Sequence, residues 1–227
     1  MTPSASAPPP VHPIEAESYR ILAERVDLTR WAPISRAVVA RVIHAAADVG
    51  YADSLVLDEA TCGAAVEALR GGAPVVADVD MVAVAGRRAG AVSLLAEGRA
   101  RAATDGLSEP DLTVSAAAMR EAADRWPDRP VVVVGNAPTA LFEVIRLAEA
   151  GAWSPSLVIG LPVGFVGAAD SKAALRASGL PAVSNVGERG GSAVAGAALN
   201  ALWRLAAEGP AVEGPAVEGR STEGPGS

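Results

Sequence analysis

VVVVGNAPTALFEV, residues 131–144, decides how this chain folds. Four consecutive valines have the length and β-branching of a strand buried on both faces. Gly135, Asn136, Pro138 and Thr139 follow within five positions, and an apolar pattern with helical spacing then begins. A strand that turns directly into a helix is one βα unit of a parallel sheet. Such sheets take ligands beyond the carboxyl ends of their strands, where helix starts leave backbone N–H groups unpaired. The turn at 135–139 therefore marks a candidate ligand edge.

Outward from this unit the pattern repeats. SLVIGLPVG (156–164) and PAVSNVG (181–187) read as strands, SLVLD (54–58) as a short one, and PVVADVDMVAVAG (74–86) as a strand region. Helices are expected at 12–28, with Ile14, Ser18, Ile21, Leu22 and Val26 along one side, and at 33–48, begun by Pro33. Others are expected at 61–72, 115–129 (Ser115 as N-cap, a break before Pro127), 139–153, 170–179 and 190–209. The fold class is α/β: three layers, α/β/α, around a mostly parallel, Rossmann-like sheet. Residues 1–13 and the EGPAV-rich 208–227 read as a disordered arm and tail around one domain, 14–207.

Half of the chain is hydrophobic but only 4% is aromatic, a composition for packing helices on a sheet rather than stacking bases. With a net charge of -7 and no basic run beyond Arg87-Arg88, the chain has no track for a phosphate backbone, and no nucleic-acid partner is expected. No uninterrupted apolar span suggests a membrane partner. Nothing at the start resembles a signal peptide, so a cytoplasmic location is expected. Cys62 is the only cysteine, which excludes an intrachain disulfide and any cysteine-rich metal site.

Three glycine-rich loops, GNAPT (135–139), GLPVGF (160–165) and GERGGS (187–192), should converge on the ligand edge. Glycines let backbone approach a ligand, and amides at a helix start receive carboxylate or phosphate oxygens. GERGGS lacks the GxGxxG spacing and comes last in the chain, against a dinucleotide site; a P-loop and a GxSxG elbow are also missing. Arg41, Arg87, Arg88, Lys172 and Arg189 are the candidate cations for a polyanionic ligand, Arg189 foremost because it sits inside a glycine loop. Asp78 and Asp80, two apart on an expected strand, would share a face and could hold a divalent ion or cap neighbouring helices. His12 lies in the arm; His44 ends the 33–48 helix. His44 is either a packed ring bonded to a carbonyl or a proton donor, since imidazole titrates near neutrality and the alanines after it leave room for a substrate.

Five segments together carry a family resemblance: RVIHAAAD (41–48), GAPVVADVDMV (72–82), VVGNAPTALFEV (133–144), LVIGLPVGFVGAADSK (157–172) and NVGERGGSAVAGAALNAL (185–202). In this order they resemble the precorrin-8X methylmutase family, across nearly the whole domain. The resemblance implies an isomerase of cobalamin biosynthesis that moves a methyl from C11 to C12 of a tetrapyrrole macrocycle. It would convert precorrin-8X to hydrogenobyrinic acid, or cobalt-precorrin-8 to cobyrinic acid, without cofactor or protein-bound metal. A homodimer is implied, with possible hand-over to neighbouring pathway enzymes. His44 matches the family's essential histidine, which protonates a ring nitrogen, and Ser18 matches the serine of its IxxxSF motif, with Tyr19 in place of the phenylalanine. Arg41, Arg88, Asn136, Thr139, Gly164, Lys172, Arg189, Gly190, Gly191 and Ser192 are the other expected substrate contacts.

Three positions depart from the family pattern: Ala45 replaces a hydroxyl residue beside the histidine, Val114 stands where an arginine is typical, and Ala85-Gly86 replaces GI. Arg99 or Arg101 could supply the missing charge. The alternative these departures raise is a non-catalytic corrinoid carrier or pathway scaffold. A nucleotide-dependent oxidoreductase, suggested by the doubly wound pattern alone, lacks the fingerprint it would need.

Overall fold

The computed structural model describes residues 13–105, 109 and 111–208. Residues 1–12 of the expected arm, His12 among them, and the tail beyond Glu208 lie outside the described residues. Six strands form one sheet: β1 (Leu55–Val56), β2 (Val75–Ala77), β3 (Val92–Ser93), β4 (Val131–Val134), β5 (Leu157–Gly160) and β6 (Ala182–Asn185). Their order is β1-β6-β5-β4-β2-β3, and every pairing is parallel except β1 with β6. The expected mixed α/β class with a mostly parallel sheet is what the chain adopts.

The four valines of β4 show why the sheet is central. All are fully buried, and the period of two sends Val131 and Val133 to one core, Val132 and Val134 to the other. Leu157 and Ile159 in β5 join the first core and Val158 the second. Each such side chain contributes about 1.5–3 kcal/mol by leaving water, so β4 and β5 anchor both layers.

The first layer holds α1 (Pro13–Arg25), α2 (Pro33–Ala46), α3 (Tyr51–Ser54), α4 (Glu59–Arg70), α5 (Asp80–Ala85) and α10 (Ser192–Glu208), with α10 packed along α2, α4 and α5. The second holds α6 (Leu95–Asp105), α7 (Val114–Arg125), α8 (Pro138–Glu149) and α9 (Ala168–Ala177). Glycines permit the closest helix contacts. A Cβ at Gly196 of α10 would stand 2.5 Å from the Cβ of Ala85, and one at Gly98 of α6 would meet the Val114 carbonyl oxygen at 2.6 Å.

Three expectations are corrected. The strand region 74–86 stops at Ala77, and Asp80–Ala85 is helical. The cause is Asp78: fully buried, its carboxylate accepts from the N–H groups of Gly135 (3.1 Å), Asn136 (2.8 Å) and Ala137 (2.7 Å) and so bends the chain out of the sheet. Asp80 is exposed at the start of α5, so the two carboxylates do not share a strand face. The N-cap of α7 is Thr113, whose hydroxyl accepts from Ala116 N at 3.2 Å; Ser115 lies inside the helix. Finally, β3 and α6 fill a stretch for which the residue pattern gave no element.

Candidate active site

His44 occupies the last turn of α2 and is half-buried. Its Nδ1 lies 2.9 Å from Ser18 Oγ, and the ring stacks on Tyr19 with centroids 4.9 Å apart and planes 12° from parallel. Both partners come from α1, which holds the imidazole in place. Arg41, one turn earlier on α2, donates to Tyr19 Oη at 3.2 Å and to Glu15 Oε1 at 2.5 Å. Glu15, Ser18 and Tyr19 thus form a bracket that fixes ring, tilt and neighbouring charge. Ser18 and Tyr19, expected as substrate contacts, both contact the histidine ring.

Beside the ring lies a cavity of about 280 Å³ lined by Arg41, His44, Ala45, Ala85, Ala193, Gly196, Ala197 and Asn200. Small side chains from α2, α5 and α10 leave this space, the room that the alanines of 45–47 suggested. Ala45, one of the departures from the family pattern, lines it directly.

The three glycine loops do meet. Gly191 N donates to Leu161 O at 2.8 Å and Gly164 N to Glu188 O at 3.2 Å, joining GLPVGF to GERGGS. At Gly190 a Cβ would come within 2.2 Å of the Leu161 carbonyl oxygen, so only glycine allows the two loops to touch. At Gly135 a Cβ would stand 3.0 Å from Ser192 Cα, which brings GNAPT to the start of α10, one residue before the cavity-lining Ala193.

The amides of GNAPT are not open, however. Asp78 takes three of them, and burial pushes its carboxyl above the usual carboxylate range despite those bonds. The N–H groups of Gly135, Asn136 and Ala137 are therefore not free donors for a substrate, while the Asn136 side chain is exposed. Lys172 is also turned inward. It has no exposed surface, donating to Arg189 O at 2.6 Å and Asn185 Oδ1 at 3.0 Å, and burial followed by the charges of Arg176 and Arg189 lowers its pKa to about 8. It secures the GERGGS loop from behind. Arg189 extends the other way, paired with Asp48 and donating to Gly50 O at 3.0 Å, over the ring of Tyr51. Arg189 thereby ties the loop to the turn that follows His44. Arg88 is exposed in a 3-10 turn packed on α10.

Thr139 is on the opposite layer. Its hydroxyl meets Thr113 Oγ1 at 2.8 Å and lines a second cavity, about 830 Å³, between α6, α7 and α8. There Arg120 pairs with Glu109 and Glu143, Arg146 with Glu143, and Arg101 with Asp124, Glu121 and Asp105. Arg101 is thus held by carboxylates on its own layer, the layer that also carries Val114 at the start of α7.

A histidine bracketed by Ser18 and Tyr19 beside a small-residue cavity, on a doubly wound α/β sheet, is the arrangement of an α/β enzyme. The chain belongs to the precorrin-8X methylmutase family, whose pattern it matches over residues 13–205. Members of that family are isomerases of cobalamin biosynthesis. It is 37% identical to a cobalt-precorrin-8 methylmutase of Priestia megaterium, over 86% of this chain and 88% of that one. With a precorrin-8X methylmutase of Pseudomonas aeruginosa it shares 41% identity over 71% of this chain and 80% of the relative. The crystal structure of precorrin-8X methylmutase from Thermus thermophilus superposes with a TM-score of 0.78 at 35% identity, covering 88% of this chain and 98% of that one. Among the described residues no helix is long and apolar enough to cross a membrane.

Asn200 went unremarked in the sequence although it lines the cavity. Its signal was available: it is the lone polar residue in the run AVAGAALNALW of α10.

Proposed function

We propose that this protein moves the C11 methyl of precorrin-8X, or of cobalt-precorrin-8, to C12, giving hydrogenobyrinic acid or cobyrinic acid. The observation that carries the reading is His44, bracketed from α1 and facing a cavity otherwise lined mainly by alanine and glycine. With Nδ1 engaged by Ser18, Nε2 is the nitrogen left for the macrocycle. A proton given from Nε2 to a ring nitrogen makes the conjugated system electron-poor. The C11–CH3 bond then breaks as the C12–CH3 bond forms in a 1,5-shift, and the proton returns to the imidazole. Atoms and electrons balance within the substrate, so the step needs neither nucleophile nor oxidant. The Ser18 bond and the Tyr19 stack hold the ring in one orientation, which favours transfer to a fixed acceptor. The single domain at 14–207 and a homodimer are part of the same reading.

The test is anaerobic incubation with precorrin-8X, followed by absorbance. Conversion to the hydrogenobyrinic acid spectrum by the wild type and its loss in His44→Ala supports the proposal. Equal conversion by both removes the histidine role, and tight binding without conversion by the wild type makes the protein a carrier.

A further inference from the structure

Of the side chains that line the His44 cavity, Arg41 is the one permanent cation. Lys172 and Arg189 are engaged elsewhere, the first with Asn185 and the Arg189 carbonyl, the second with Asp48 and the Gly50 carbonyl. The Arg41 guanidinium is held from one side. Both of its bonds leave from a single nitrogen: Nη1 donates to Glu15 Oε1 at 2.5 Å and to Tyr19 Oη at 3.2 Å. Among the described residues Nε and Nη2 have no acceptor, and the side chain keeps 35% of its surface open. The edge formed by Nε and Nη2 is one that fits both oxygens of a carboxylate.

Pinning Nη1 leaves that edge for a ligand. It also fixes a long side chain before the ligand arrives, so less rotamer freedom is lost on binding. Glu15 and Tyr19, one turn apart on α1, share the task. Glu15 cancels charge as it holds, whereas the neutral Tyr19 hydroxyl holds without repelling a second carboxylate. The Tyr19 ring meanwhile stacks on His44, with 4.9 Å between centroids. A phenylalanine here would keep the stack and lose the bond to Arg41. We propose that the Tyr19 hydroxyl is a positioning group for substrate binding: it holds Arg41 so that the Nε–Nη2 edge receives a carboxylate from the rim of the macrocycle. One side chain thus sets affinity through its oxygen and the orientation of the proton donor through its face. The inference rests on the reading of the ligand as a tetrapyrrole acid.

The experiment compares wild type, Tyr19→Phe, Arg41→Met and the double variant by absorbance, without oxygen. Titration with hydrogenobyrinic acid gives the affinity, and single-turnover conversion of saturating precorrin-8X gives the rate of the chemical step. Tyr19→Phe is expected to weaken binding about fivefold, the equivalent of one net hydrogen bond, at an unchanged single-turnover rate. In the Arg41→Met background the same change should leave affinity as it is, because the hydroxyl has nothing left to hold. Unchanged affinity of Tyr19→Phe overturns the proposal. A slower step at unchanged affinity overturns it too, and assigns the hydroxyl to His44. Equal weakening with and without Arg41 means that the hydroxyl meets the ligand itself, which is incompatible with a role through Arg41. Should Arg41→Met not fold, Arg41→Lys takes its place, since an ammonium has no such edge to aim. Binding without conversion sinks the isomerase reading alone, and the affinity measurements still decide the proposal. Wild type that binds nothing removes the functional reading, and the inference with it, before any variant is compared.

Discussion

The two cavities lie on opposite faces of one sheet, and the larger is the poorer candidate. Between α6, α7 and α8 about 830 Å³ is lined by arginines and carboxylates, but these groups satisfy one another. At the end of α2 only about 280 Å³ is open, yet a braced imidazole lines it. Volume measures where atoms are missing. A histidine held in place beside open space is the stronger sign of chemistry, and in the proposed function that cavity is the site.

The comparison breaks most decisively at His44. His44→Ala should lower turnover of precorrin-8X by about 10²–10⁴-fold with little change in thermal stability. An equally active variant would return the question to the other face. Arg120→Ala tests that face. Glu143, 8% exposed on its side chain, would lose its 2.7 Å partner but keep Arg146, and about 1.5–3 kcal/mol of stability should go in urea unfolding. Turnover per folded molecule should stay as it was, and a fall in it would make the larger cavity functional.

Ser18→Ala sharpens the picture of the bracket. Loss of the 2.9 Å bond to Nδ1 should cost about tenfold in kcat with KM nearly unchanged, because ring orientation rather than substrate contact is lost. A rise in KM alone would return Ser18 to the role of substrate contact. A test of stability rather than turnover concerns Lys172, whose pKa falls from 10.5 unfolded to about 8 folded. Below pH 8 both states carry the proton and the fold bears the full cost of burying it. Between pH 8 and 10.5 the unfolded chain binds more protons, so this group makes stability rise with pH. Lys172→Met should remove that rise when urea unfolding is compared at pH 7 and pH 10; an unchanged slope would place the lysine in water.

The sheet was legible in the sequence because β4, β5 and β6 announce themselves as apolar runs followed by turn residues. The stretch 74–86 misled because VVADVDMVAVA alternates like a strand. What ends β2 is a carboxylate meeting amides more than fifty residues downstream, and no local pattern contains that. Helix α6 was missed since its apolar stripe is alanine and glycine, which packs by closeness rather than bulk. At the site, His44 was visible through its motif. Lys172 was not placed correctly, because lysine is so rarely buried that sequence reasoning sends it to the surface. Its burial depends on Asn185 and the Arg189 carbonyl, which only the folded loop supplies.

Asp78 has a consequence for the whole architecture. A doubly wound sheet carries, at the turn after a central strand, a natural socket for the phosphates of nucleotides. Here the chain plugs that socket with its own carboxylate. A phosphate arriving there would find its donors taken, inside a site too buried to hold two anions together. The N–H groups of Gly135, Asn136 and Ala137, which in a nucleotide enzyme of this fold would face a phosphate, are here kept for the chain's own use.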